Sequence, residues 1–140
     1  MTDLALALTD APDPGDVALV ERELTAFNVE RALPYDRRPL CVFLRDRAGR
    51  AVGGATGTTN WGWLYLDCFR LPEAERRAGW GGRVLAAAEA EARTRGCGRA
   101  RLFTYSFQAQ GFYERHGYAV FGVLDDYPPG HRQVWMRKDL

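Results

Sequence analysis

The sequence carries almost no net charge: nineteen Lys and Arg face eighteen Asp and Glu, a formal +1. Without a global field, steering toward nucleic acid or an anionic membrane is not expected, and any positive site has to be local. Cysteine is also scarce. Cys41, Cys68 and Cys97 are odd in number, widely spaced and without a CxxC pair, which argues against a disulfide framework and a zinc site and for a reducing compartment. No metal is expected. The opening residues "MTDLALALTDAPDPGD" lack a basic n-region, and no segment approaches the roughly 20 apolar residues of a membrane span. The expectation is a cytoplasmic protein with neither nucleic-acid nor membrane partners. Internal repeats, linkers and low-complexity tracts are missing too. With 46% hydrophobic and 26% charged residues, positions 1–140 are expected to form one α+β domain.

The hydrophobic pattern supplies the elements. "DLALALT" alternates as a short strand would. "VALVERELTAFNVERAL" places Val17, Val20, Leu24, Phe27 and Ala32 at steps near three and four, which is helical. "LCVFLRD" and the glycine-rich "AVGGATGTT" read as a hairpin around "RAGR", and "WGWLYLDCFRL" as a further strand. A helix follows in "RVLAAAEAEARTRG", with Val84, Leu85, Ala88 and Ala92 on its apolar face. Glu89–Arg93 and Glu91–Arg95 are spaced as exposed ion pairs. Then "RARLFTYSF" is a strand, "QAQGFYERHG" a short helix, and "YAVFGVL" and "HRQVWMRKDL" two last strands. The sum is a central, mostly antiparallel sheet flanked by helices.

The stretch "RRAGWGG", Arg76 to Gly82, stands immediately before the alanine-rich helix. It contains neither GxxxxGK followed by Ser or Thr nor GxGxxG, since the third glycine would fall at Val84. Glycines at a helix start beside two arginines nevertheless suit an anion. The first N–H groups are unpaired, the positive end of the helix dipole lies behind them, and missing Cβ atoms permit close approach.

On these residues the chain resembles the GNAT superfamily of N-acetyltransferases. "RRAGWG" is similar to its Q/R-x-x-G-x-G/A signature, with Arg76, Gly79 and Gly81 on the defining positions, and "FQAQGFYERHGYAVFG" to its A-x-x-x-Y-E-x-x-G-Y region. The resemblance spans at least residues 40 to 138. It implies the GNAT fold, acetyl-coenzyme A as co-substrate, and a pyrophosphate held by Arg76, Arg77, Gly79, Trp80, Gly81 and Gly82. It further implies a strand that splays at a bulge, where Phe69 and Leu71 offer backbone contacts to the pantetheine arm, and Tyr113 beside the coenzyme sulfur. The family's asparagine seven residues before that tyrosine is Ser106 here, which could offer a hydroxyl instead. A homodimer is the assembly the resemblance suggests.

Acetyl transfer to an amine requires two proton movements. An alkyl amine with a pKa near 10.4 is neutral in about one molecule in 2,500 at pH 7, so a base is needed, directly or through water. The resemblance implies a carboxylate on the strand before the glycine stretch, a position that Asp67 fills, and His131 is a competitor. By simple alternation Asp67 shares a face with Tyr65 and Phe69. The departing thiolate benefits from a donor, and Tyr113 can supply one. His116, at a helix end, reads as structural, and Cys68 as packing. Asn28, Trp63, Tyr105, Tyr127 and His131 are the candidates for the acceptor pocket, with Trp61 beside them. The acceptor implied is a small-molecule amine. A protein lysine or N-terminus, or a sensor domain that binds the coenzyme without turnover, are the alternatives.

Overall fold

A computed structural model describes residues 3–140. They divide into an N-terminal unit ending at Tyr35 and a larger unit, Asp36–Leu140. The N-terminal unit holds one helix, α1 (Pro14–Arg31). The Asp13 carboxylate caps it by accepting the Gly15 N–H at 2.7 Å, and Pro14 opens it where no N–H is needed. Its apolar stripe of Val17, Val20, Leu24 and Phe27 is exposed, and α1 has no buried residue. The strand expected in "DLALALT" does not form; Leu4, Leu6 and Leu8 are exposed. Alternation describes a face, and a strand also requires a neighbour to pair with.

The larger unit is built on a six-stranded sheet. Its strands are β1 (Arg38–Arg45), β2 (Ala51–Asn60), β3 (Trp63–Arg70), β4 (Arg99–Tyr105), β5 (Ala119–Asp125) and β6 (Arg132–Asp139), in the order β1-β2-β3-β4-β6-β5. Only β3 and β4 run parallel; the other neighbours are antiparallel. Helix α2 (Trp80–Thr94) fills the β3–β4 crossover, and α3 (Gln110–Arg115) lies between β4 and β5. Trp61 (φ 48°) and Gly62 (φ 81°) form the two-residue turn joining β2 to β3, a pair of left-handed positions matched to strand twist.

One face of the sheet presents Leu64, Leu66, Ala100, Leu102, Val134 and Met136, all buried. On α2, Val84, Leu85, Ala88 and Ala92 are buried in the same cluster, and the alanines let the helix lie close. Burying a side chain such as Leu85 contributes about 2 kcal/mol. At the C-terminal end of α2, Arg95 donates to the Pro39 carbonyl at 2.9 Å and the Thr59 hydroxyl at 3.1 Å, and pairs with Glu91 as its spacing implied. The expected Glu89–Arg93 surface pair is not present. Glu89 is buried and accepts instead from the Lys138 ammonium at 2.9 Å and the Tyr118 hydroxyl at 2.9 Å. Glu89 lies one turn past Leu85, on the side of α2 that meets β6.

Candidate active site

Two coincident irregularities open the middle of the sheet. β3 and β4 pair only over Trp63–Leu66 and Arg99–Leu102, although β3 continues to Arg70 and β4 to Tyr105. Beyond Leu66 the two strands part. At the same place the β2–β3 register shifts: Gly57 pairs with Leu66 and Thr56 with Cys68, which leaves Asp67 as the extra residue. A bulge of this kind bends its strand and leaves backbone groups unpaired.

The bulge also corrects the expected faces. Phe69 does not stay beside Tyr65; it crosses to the core side, where its ring meets Phe112 at 5.6 Å and Tyr113 at 6.1 Å. Cys68 and Asp67 are exposed, and Leu71 is buried. One inserted residue reverses the alternation after it.

The glycine stretch lies just beyond the end of β3. Gly79 takes a left-handed conformation (φ 80°, ψ 5°) as the residue before α2, and no side chain caps the helix. Its first N–H groups therefore face outward unpaired. Arg76 Nε donates to the Leu71 carbonyl at 3.2 Å, which fixes the base of its guanidinium, while Arg77 is exposed. The Arg83 guanidinium stacks over the Trp80 ring at 4.0 Å. The three glycines have different tasks. Space around Gly79 is open, so its positive φ is what demands glycine there. A Cβ on Gly81 would stand 3.1 Å from the Phe112 ring, and one on Gly82 3.0 Å from His116 Nε2. Those two allow α3 to pack against the first turn of α2.

Helix α3 carries Tyr113 in that packed position. Burial pushes its hydroxyl up to about 12, and among the described residues the hydroxyl has no hydrogen-bond partner. It is a protonated donor held between Phe69 and the edge of Tyr118 (5.9 Å). His116 places Nδ1 2.8 Å from the Phe112 carbonyl and lies tilted against the Phe112 ring at 4.5 Å, a structural arrangement. Ser106 extends the β4–β6 ladder: its hydroxyl oxygen accepts the Arg132 N–H at 3.0 Å, leaving the hydroxyl proton available.

The opposite face of the sheet carries the acceptor candidates. Tyr65 is half-buried; burial first, then the Asp67 charge, raise its hydroxyl, while the Arg101 guanidinium 4.1 Å over its ring opposes them. Tyr105, at the end of β4, lies nearly parallel to Phe107 (5.4 Å, 3°) and to Tyr127 (5.9 Å, 6°), and His131 meets Phe107 edge-on at 4.9 Å. Tyr105, Tyr127 and His131 are thus gathered at the split end of the sheet. Trp63 is not, since it sits at the paired beginning of β3, about 20 Å from Tyr105 along the strands. Asn28 lies on α1 in the N-terminal unit, and Trp61 in the β2–β3 turn. Phe107 and Phe112 were not singled out from the sequence, although "TYSF" and "GFYERHG" place each beside a residue that was.

A strand pair that parts beside an uncapped, glycine-started helix, with Tyr113 packed on Phe69 of the parted strand, fits the acyl-transfer site the sequence leads one to expect. Comparison with known proteins agrees. The model of the acetyltransferase (GNAT) family matches residues 8–118. The chain is 35% identical over 131 residues to an acetyltransferase of Agrobacterium fabrum, covering 94% of this chain and 96% of that protein. It is 36% identical over 124 residues to the blasticidin-S acetyltransferase of Streptomyces morookaense, covering 86% and 91%. A crystal structure from Agrobacterium tumefaciens superposes with a TM-score of 0.92 at 34% identity, over 98% of this chain and 100% of that one. The chain belongs to the GNAT acetyltransferase family.

Proposed function

We propose that the chain transfers an acetyl group from acetyl-coenzyme A to a primary amine of a small molecule by direct attack. The observation that carries this reading is the parted β3–β4 pair with Tyr113 packed on Phe69 beside it, its hydroxyl unpaired among the described residues. The residues present fit the coenzyme: an uncapped helix start, open space at Gly79 and a strand edge without a partner suit a pyrophosphate followed by an amide-bearing arm. When bound, the coenzyme supplies an acetyl thioester as electrophile. Arg76, Arg77 and the N–H groups of the α2 start hold its phosphates, while the backbone of Phe69 and Leu71 offers ladder bonds to its arm.

The split joins the two faces of the sheet, so the donor can enter from the α2–α3 side and the amine from the side of Asp67 and Tyr105. Asp67, directly or through water, takes the ammonium proton; it is exposed at the bulge. Tyr113 donates to the sulfur as negative charge develops there. The relative named for blasticidin S favours a small-molecule acceptor over a protein.

The test is free-thiol release from acetyl-coenzyme A across a panel of small amines, free lysine and peptide N-termini. Thiol release that depends on a small amine is expected. Coenzyme binding without acceptor-dependent thiol would overturn the enzyme reading, and turnover confined to peptides would overturn the acceptor class.

A further inference from the structure

The open end of the sheet carries more exposed aromatic surface than packing requires. Phe107 and Tyr127 are 55% and 51% exposed, yet both lie nearly parallel to the half-buried Tyr105, within 3° and 6°. Rings gathered only to bury apolar area would hide their faces, and large aromatics left open at a cleft commonly mark a contact. Acidic residues accompany the array. Asp125 and Asp126 precede Tyr127 directly, and Asp67 is exposed at the bulge. Among the described residues none of these three carboxylates forms an ion pair. Asp126 accepts only the Gly130 N–H, at 3.4 Å. Arg132 is the register partner of Asp125 across β5 and β6 but forms no ion pair with it, and Arg101 is stacked over Tyr65.

From this we infer that the acceptor is an amine attached to a flat aromatic or heteroaromatic ring, which stacks on the Phe107–Tyr105–Tyr127 array while its ammonium group faces the carboxylates. The inference rests on the acetyltransferase reading above and narrows its acceptor. Parallel rings present π faces, and a flat ring placed against them gains contact along a whole face, which a saturated ring of the same size cannot match. The carboxylates complement the positive charge that an alkyl amine carries at neutral pH.

A matched pair of amines isolates the ring: 2-phenylethylamine and 2-cyclohexylethylamine share chain length and charge and differ in flatness. Calorimetric titration of each into the protein loaded with coenzyme A reads binding without turnover. Affinity for the flat amine is expected to be about tenfold higher. Phe107→Leu and Tyr127→Leu should bring the ratio close to one, and Tyr127→Phe, which keeps the ring, should retain it. Equal affinities, no measurable binding of either amine, or a preference that survives both leucine variants would overturn the inference. Flat-ring preference without acetyl transfer would leave the inference standing and remove the transferase reading instead.

Discussion

Tyr113 shows how burial sets the kind of help a residue can give. With its hydroxyl pushed up to about 12, it is about three-thousandfold weaker an acid than an ordinary thiol near 8.5, so it cannot hand its proton over completely to a leaving thiolate. In the proposed reaction its contribution is a hydrogen bond that strengthens as charge builds on sulfur, made from a contact formed by Phe69, Phe112 and Tyr118. Tyr113→Phe keeps all three ring contacts and removes only the donor. Its kcat should fall about tenfold to a hundredfold with KM for acetyl-coenzyme A nearly unchanged, because phosphate and arm contacts are made elsewhere. Steady-state kinetics at saturating amine measures this, and an unchanged kcat would remove Tyr113 as the donor. Gly79 could be picked out in the sequence because a glycine at a helix start follows from local spacing, while Tyr113 follows only from the family resemblance. The division of labour among Gly79, Gly81 and Gly82 could not, since it depends on where Phe112 and His116 of another helix come to rest.

At the scale of elements, periodicity and turn residues located every strand of the sheet and all three helices. The lapses came where a neighbour decides. Alternation along "LYLDCFRL" predicted faces correctly up to Leu66 and failed after Asp67, because a bulge is a relation between two strands. The i,i+4 spacing of Glu89 and Arg93 suggested a solvated pair, but the β6 side of α2 brings Lys138, the only lysine in the chain, to Glu89. That contact, with the Tyr118 hydroxyl, ties α2, β6 and the segment after α3 into one block behind the glycine start. Glu89 has a side-chain exposure of 7%, so losing its cation strands a buried carboxylate. Lys138→Met should cost about 3 kcal/mol. Replacing the set together, Glu89→Leu with Lys138→Met and Tyr118→Phe, should recover most of that loss, because no buried polar group is left alone. Urea unfolding of the two variants checks both; a Lys138→Met protein as stable as the parent would show that the pair contributes nothing.

For the molecule as a whole, the buried tyrosines couple the site to alkaline stability. Burial raises Tyr113, and burial together with the adjacent Glu89 carboxylate raises Tyr118 further. Below about pH 10 both hydroxyls are protonated whether the chain is folded or unfolded, and the stability from keeping them neutral is fully present. As pH rises from about 10 toward 12, the unfolded chain releases protons that the folded chain retains, so the unfolded state gains and stability falls. Each tyrosine contributes a slope of up to about 1.4 kcal/mol per pH unit, which sums to about 3 kcal/mol lost by pH 11. That is a large share of the 5–15 kcal/mol typical of a domain. Denaturant unfolding at pH 8 and pH 11 should show this drop, and Tyr113→Phe should remove about half of it, since phenylalanine has no proton to lose. A drop of the same size in the variant would mean that Tyr113 ionises as freely in the folded protein as in the unfolded chain. At neutral pH the hydroxyl would still be protonated, so that result would remove the stability prediction and leave the donor role to be decided by the kinetics of Tyr113→Phe.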